Sequence, residues 1–341
     1  MPTRDQSLQL AFGLNKQTAV GTPSSTFATF LKVDHNIPYL KYGTETDAKE
    51  IGKPNEFAQN VYPTAYDFAP GAIEKYASAE FTCWAWAYAL GNVAYATGLY
   101  TILPEDPATS LELPYFSHAA KLLEGGGTAM DELYLDCARE DVVTTFEYGP
   151  GRKSAQTKCS FMGTGNNTIP SGITYPTSAL SENYMLSSSM SISVNGVDYV
   201  AGTPGAKSIL KGSIGWKNNL IAPLRYFPGS GLLNNAAIGG RILYGDRVPT
   251  LNFSAFFLST STEYAKLIAQ TSGTAMLTLT HDATHFVTWD FGKVIFTSVE
   301  RKTEEGLVAV DVMCEPMYTS GGGLGGLLTV TSKNPLTTIA Q

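Results

Sequence analysis

Charge is scarce in this 341-residue chain: Asp, Glu, Lys and Arg supply 16% of it, against roughly a quarter in an ordinary soluble domain. The balance is acidic, net −7. Without an excess of Lys and Arg the chain is poorly equipped to hold nucleic acid through its phosphates. Histidine is scarcer still, with four residues. His281 and His285 in "THDATHF" lie four apart, a metal-binding spacing on a helix, but the segments flanking them read as strands and predict a hairpin end with solvated imidazoles. His35 and His118 have no Cys or His neighbour at ligand spacing, so neither a metal nor a cofactor is expected. The four cysteines, Cys83, Cys137, Cys159 and Cys314, contain no C-x-x-C pair. They read as buried thiols rather than a disulfide framework.

Other absences narrow the field further. No run approaches the 18 or so apolar residues of a membrane-spanning helix. "MPTRDQSLQLAFG" lacks the uninterrupted apolar core of a secretory leader, so none is expected. No G-x-S-x-G elbow, P-loop or strand-borne G-x-G-x-x-G is present. "GPGRKS" joins two strands with no helix after it and reads as a hairpin turn. Glu45, Asp47 and Glu50 form an acidic group in a polar stretch, with nothing apolar nearby to split their pKa values. No convergent nucleophile, base and oxyanion donor emerge, and no enzyme is expected.

What the chain does have is a 43% apolar fraction, enough for a large core, and a polar remainder rich in Ser, Thr, Asn and Gly. A polar but weakly charged surface suits repeated subunit contacts, because fewer ions must be desolvated. Period-two patterns dominate. "PTLNFSAFFLS" puts Leu251, Phe253, Ala255 and Phe257 on one face, and "GLVAVDVMCEP" does the same with Val308, Val310, Val312 and Cys314, each reading as a strand with one buried face. Asn195-Gly196 in "MSISVNGVDYVA" predicts a type I′ hairpin turn. The fold class is therefore mostly β with flanking helices. One helix is expected over 72–90, with Ile73, Ala77, Phe81, Trp84 and Tyr88 on one face and Gly91 as its stop; its tryptophans read as core. A second is expected over 260–271, with Thr260 and Glu263 at capping-box spacing.

Strand-like segments surround both helices in a similar order, and "GTAM" occurs at Gly127–Met130 and again at Gly273–Met276. This points to a unit duplicated in tandem: a β domain over 1–165, a Gly-, Pro- and Ser-rich linker over 166–183, and a second β domain over 184–320. A Gly-rich C-terminal arm follows over 321–341, leading into a short strand at Leu327–Val330. "AFGLNKQTAVGTPSSTFATFL", Ala11 to Leu31, is weakly charged and alternating. It and the C-terminal arm read as segments that add to a neighbour's sheet edge.

"LAFGLNKQTAVGTP", followed by "YGTETDAKEIGKPNEF" and a helix after "GAIEKYASAEF", resembles the N-terminal region of major tail (tail tube) proteins of long-tailed, non-contractile bacteriophages. The matching residues are Lys16 to Thr22 and Glu50 to Lys53. "TLNFSAFFLSTSTEYAKLIA" and "EGLVAVDVMCEP" resemble the β-sandwich and helix of the same family. The resemblance implies a structural virion protein in the phage tail, assembled in the host cytoplasm. Its stacked rings would form a tube whose lumen passes DNA and the tape measure protein without specific binding, with tail terminator and tail tip proteins as partners. Most such rings are hexamers of one-domain chains. A duplicated chain would give a trimeric, pseudo-hexameric ring, with a hexamer as the alternative. The assembly contacts implied are Phe12, Lys16, Gln17, Thr18, Gly21, Thr22, Glu45, Glu50, Lys53, Gly323, Leu327 and Leu328. Two other readings stand beside this one. The first is another tube or terminator component of a tail or secretion machine; the second is a lectin-like β-sandwich using Trp216, Trp289 and the many tyrosines to stack on sugars.

Overall fold

The computed structural model describes residues 9–24, 30–31, 34–36, 40–46, 61–68, 71–123, 129–148, 154–163, 167–168, 179–200, 208–221, 242–257, 261–304, 306–319, 326–337 and 339. Among them are twenty β-strands and two α-helices, the mostly-β chain with few helices that the alternating sequence predicts. Glu50, Lys53 and Gly323 lie outside the described residues.

The first half of the chain forms β1 (Gln9–Phe12), β2 (Phe30–Leu31), β3 (Asp34–Asn36), β4 (Leu40–Thr46), β5 (Val61–Phe68), β6 (Gly71–Tyr76), α1 (Ala79–Leu90), β7 (Gly91–Ala96), β8 (Leu99–Pro104), β9 (Phe116–Leu123), β10 (Ala129–Glu147), β11 (Gln156–Gly163) and β12 (Asn167–Thr168). The second half forms β13 (Met190–Val194), β14 (Val197–Val200), β15 (Ile209–Lys217), β16 (Val248–Phe256), α2 (Glu263–Ile268), β17 (Gly273–Asp282), β18 (His285–Glu304), β19 (Leu307–Pro316) and β20 (Thr329–Lys333).

One pairing scheme is written twice. In the first half β1 pairs with β2 and β9, β9 with β10, β10 with β11 and β12, β11 with β6, and β6 with β3, all antiparallel. In the second half β13 pairs with β14 and β17, β17 with β18, β18 with β19 and β20, β19 with β16, and β16 with β15. Even the irregularities correspond. The β9–β10 ladder slips between Tyr134 and Cys137, and the β17–β18 ladder slips between Phe291 and Val294. Cys137 pairs with both Phe116 and Gly163, as Val294 pairs with both Gly273 and Pro316. A further slip follows at Arg139/Asp141 and at Phe296/Ser298. An extra residue bends a strand and breaks its ladder locally, so slips at matching places give β10 and β18 the same path. "GTAM" does not take part in this likeness: Ala129 opens β10, whereas Gly273 opens β17, the counterpart of β9.

The two series join into one sheet. The C-terminal part of β10 takes β15 on the edge that β9 has left, and β20 pairs with β8, the outer partner of β7. One continuous hydrophobic cluster, from Phe12 and Trp84 to Trp289 and Ile339, runs through both halves. The β4–β5 hairpin forms a separate two-stranded sheet.

Local chemistry explains the elements. β13 and β14 are joined by Asn195-Gly196, with φ of 51° and 72°, the left-handed pair that a type I′ turn requires. The helix expected over 72–90 starts later: Gly71–Tyr76 is a strand paired with β11, and α1 begins at Ala79 behind the cap of Ser78, whose Oγ accepts from Phe81 N at 3.0 Å. Ile73 is buried in either period, so the sequence pattern alone runs the helix through it. Gly91 stops α1 with φ of 101°. The second helix is also shorter than the expected 260–271, spanning Glu263–Ile268 with no side-chain bond at its N-cap.

Candidate functional site

Alternation along the paired strands sends one set of side chains inward and the next outward. On the strands β6-β11-β10-β15-β16-β19-β18 the inward set includes Val142, Ile214, Trp216, Leu251, Phe253, Val310 and Val312, all buried. The outward set lines an open groove of about 800 Å³. Its floor is a row of directly paired residues, Tyr76, Gln156, Thr145, Ser213, Asn252, Met313 and Ser298, one from each strand. The row crosses the junction between the two halves without a break. Beside it runs a second row, Glu147, Lys211, Ser254, Asp311 and Glu300.

Hydroxyls, amides and a few charges share this face with the exposed side chains of Tyr76 and Met313. Lys302 Nζ lies 2.7 Å from Asp311 and 2.9 Å from Glu304, and Ser254 Oγ donates to Asp311. Burial works against the Asp311 charge, but Lys302 and Ser254 outweigh it and hold the carboxyl below its usual range. Lys302 is likewise raised, burial opposing and Asp311 and Glu304 prevailing. Such a wall offers hydrogen bonds with little net charge. Among the described residues no group of three or more His, Cys, Asp and Glu is placed to hold a metal ion. His281 is exposed, and His285 Nδ1 lies 2.9 Å from Asp282 at the β17–β18 hairpin end.

The residues expected at assembly contacts fall into separate groups. Phe12 is buried in the core, its ring 5.2 Å from Trp84 and stacked 5.0 Å from His118. Gln17 is buried too: its Nε2 donates to Asp136 Oδ1 at 2.8 Å and its Oε1 accepts from Asp136 N at 2.8 Å. Gly21 N donates to the same carboxylate at 2.7 Å. Leu328 is buried and Leu327 packs against the core. Lys16, Thr18 and Thr22 are exposed. Glu45 lies in β4 opposite Tyr62.

This corrects the expectation of a free N-terminal segment and a free C-terminal strand. β1 is satisfied by β9 and β2 within the chain, and its antiparallel pairing with β2 is the counterpart of the β13–β14 pairing across Asn195-Gly196. The residues just after β1 are tied down by Trp84 Nε1 donating to Gly13 O at 3.2 Å and Tyr88 OH to Leu14 O at 3.2 Å. A Cβ on Gly13 would meet Ser24 Cβ at 2.3 Å. β20 is held between β18 and β8. Trp216 and Trp289 are buried rather than offered to a sugar. The four cysteines are buried free thiols, and burial pushes Cys83 up to about 12. No helix among the described residues is long and apolar enough to cross a membrane.

Sequence reasoning missed the polar groove. Its two rows draw one or two residues from each of seven strands, and only the register lines them up. No protein-family model matches this chain, and comparison with curated proteins gave no significant match.

Proposed function

We propose that this chain is a structural subunit that polymerises into stacked rings forming a tube, as the resemblance to phage major tail proteins implies, with DNA passing through the lumen. The observation that carries this reading is the polar face of a sheet that continues across both halves of the chain. Three such chains side by side would present a wall of hydroxyls and amides around a pseudo-sixfold channel. Its lysines Lys211 and Lys302 stand among Glu147, Glu300, Glu304 and Asp311, and within a chain of net charge −7 they would give phosphate little to bind, so a polyanion would slide. Terminator, tip and tape measure proteins would be its partners in a virion tail.

Electron microscopy of the concentrated protein, averaged down the axis of any ring or tube, tests this. Hollow rings of three chains are expected. A compact monomer that binds immobilised glycans would replace the proposal with a lectin-like reading, whose support is the exposed ring of Tyr76 at one end of the groove.

A further inference from the structure

The repeat ends on surfaces that, in its first half, are covered by the second. On β10, β9 leaves off at Cys137 and β15 takes the same edge over Asp141–Glu147. On β18, β17 leaves off at Val294, and among the described residues no strand takes that edge over 298–304. The counterpart of β15 is β3. Asp34, His35 and Asn36 pair with Glu74, Ile73 and Ala72, as Lys211, Gly212 and Ser213 pair with Ser254, Phe253 and Asn252. Among the described residues β3 pairs with β6 alone.

Two further features point the same way. Helix α1 is wholly buried, with Trp86 packed 5.8 Å from Trp289 of β18 in the second half. Its counterpart α2 leaves Ile268 75% and Tyr264 43% exposed. Beside α1, Ala77 and Ala155 are bonded to each other and to Met185, which starts the run into the second half. The matching bond from Phe257 N to Val308 O is present at 2.9 Å, but Val308 and its neighbour Leu307 are half exposed.

We infer that a second copy of this chain docks here head to tail, adding its β3 to the outer edge of β18 and covering α2. The inference deepens the tube reading and rests on it for the nature of the finished assembly; the pairing itself follows from continuing the repeat. Such a contact is heterologous, joining different surfaces of the two copies, so it propagates until it closes. Carrying over the β10–β15 register sets Lys302 opposite Asn36 of the next copy, as Thr145 faces Ser213, and Glu304 opposite Asp34, as Glu147 faces Lys211.

Directly opposed residues on paired strands are close enough for a disulfide, so cysteine pairs in the full chain test the register. Thr145→Cys with Ser213→Cys marks the internal junction and is expected to close within one chain on mild oxidation. Asn36→Cys with Lys302→Cys is expected to give a ladder of covalently linked chains on a non-reducing gel. If the first pair closes while the second stays monomeric at high concentration, the inference fails. Ile268→Glu, at a site already exposed in the single chain, should keep its circular dichroism and weaken self-association about tenfold in sedimentation; unchanged association would overturn the docking of α2. Asp34→Lys copies the Glu147–Lys211 pair into the new junction and should tighten association about twofold to fivefold; weakening would refute this register. Covalent ladders without hollow rings would keep the pairing and remove the tube. Hollow rings whose Asn36 and Lys302 cysteines never link would do the reverse.

Discussion

The two helices occupy matching places in the repeat and meet opposite fates. Helix α1 is twelve residues long and buried on every side, down to Glu80 and Thr82. Helix α2 is six residues long and half in solvent. Their sequences anticipate the difference: "AEFTCWAWAYAL" is apolar all round, the pattern of an enclosed helix, whereas "EYAKLI" alternates apolar and charged groups. Enclosure obliges α1 to satisfy its polar atoms inside the protein. Trp86 Nε1 donates to Thr144 Oγ1 at 3.1 Å, Thr144 meets Thr157 at 3.1 Å, and Thr157 meets Thr82 at 3.0 Å. Glu80 accepts from the backbone and side chain of Asn183. The same architectural slot is thus a core in the first half, where the second half packs on it, and a surface among the described residues of the second half.

The sharpest way to break this contrast is at the two helix faces. Trp86→Ala empties a fully buried site and is expected to cost about 3–5 kcal/mol, read as a lower denaturant midpoint. Ile268→Ala in the unassembled chain should stay within about 0.5 kcal/mol. Similar losses at both sites would show that α2 is as enclosed as α1.

The antiparallel strand pairs at the start of each half give a second, smaller contrast. Asn195-Gly196 turns through left-handed backbone angles, braced by Asn195 Nδ2 donating to Thr271 O at 2.7 Å, while residues 13–24 after β1 depend on the Asp136 carboxylate. Asp136→Ala strips partners from Gln17 and Gly21 and is expected to cost about 1–3 kcal/mol. Hydrogen exchange should then rise first in residues 13–24 and leave the β13–β14 hairpin protected.

The smallest effect concerns the groove. Asp311 is depressed when folded, so its contribution is present above the unfolded carboxylate pKa of about 3.9 and fades as pH falls through the lower folded value. Lys302 is raised, so its contribution is present below about 10.4 and fades as pH climbs through the higher folded value. Asp311→Asn should lower stability by under about 1 kcal/mol, since the pair is partly exposed. It should also flatten the acid limb of a stability-against-pH curve. An unchanged acid limb would show that Asp311 does not shape it.

Much of the fold was legible. Strands with one buried face announce themselves by period two, and Asn195-Gly196 names its own turn. The helix start was not legible, because Ile73 sits on the buried face whether the chain there is strand or helix; Ser78, the actual cap, decides. Element order hinted at two similar halves, whereas the shared tetrapeptide was a false marker on non-equivalent strands. The expected assembly residues came from the family resemblance and from weakly charged segments, and neither can tell a segment awaiting a partner from one already paired. Phe12 and Leu328 are of the second kind. The groove was out of reach, since Thr145, Ser213 and Asn252 become neighbours only through long-range register.

A chain poor in ions nevertheless gathers several of them at the end of β18, where Glu300, Arg301, Lys302 and Glu304 fall within five positions. An unmatched strand margin is a standing invitation to random stacking, and charged side chains are a known deterrent. Concentrated there, they act as a guard that a flat, greasy margin would lack. If copies join as inferred above, such a guard would keep a freshly made chain dispersed in a crowded solution and reserve growth for a margin offered in the right alignment.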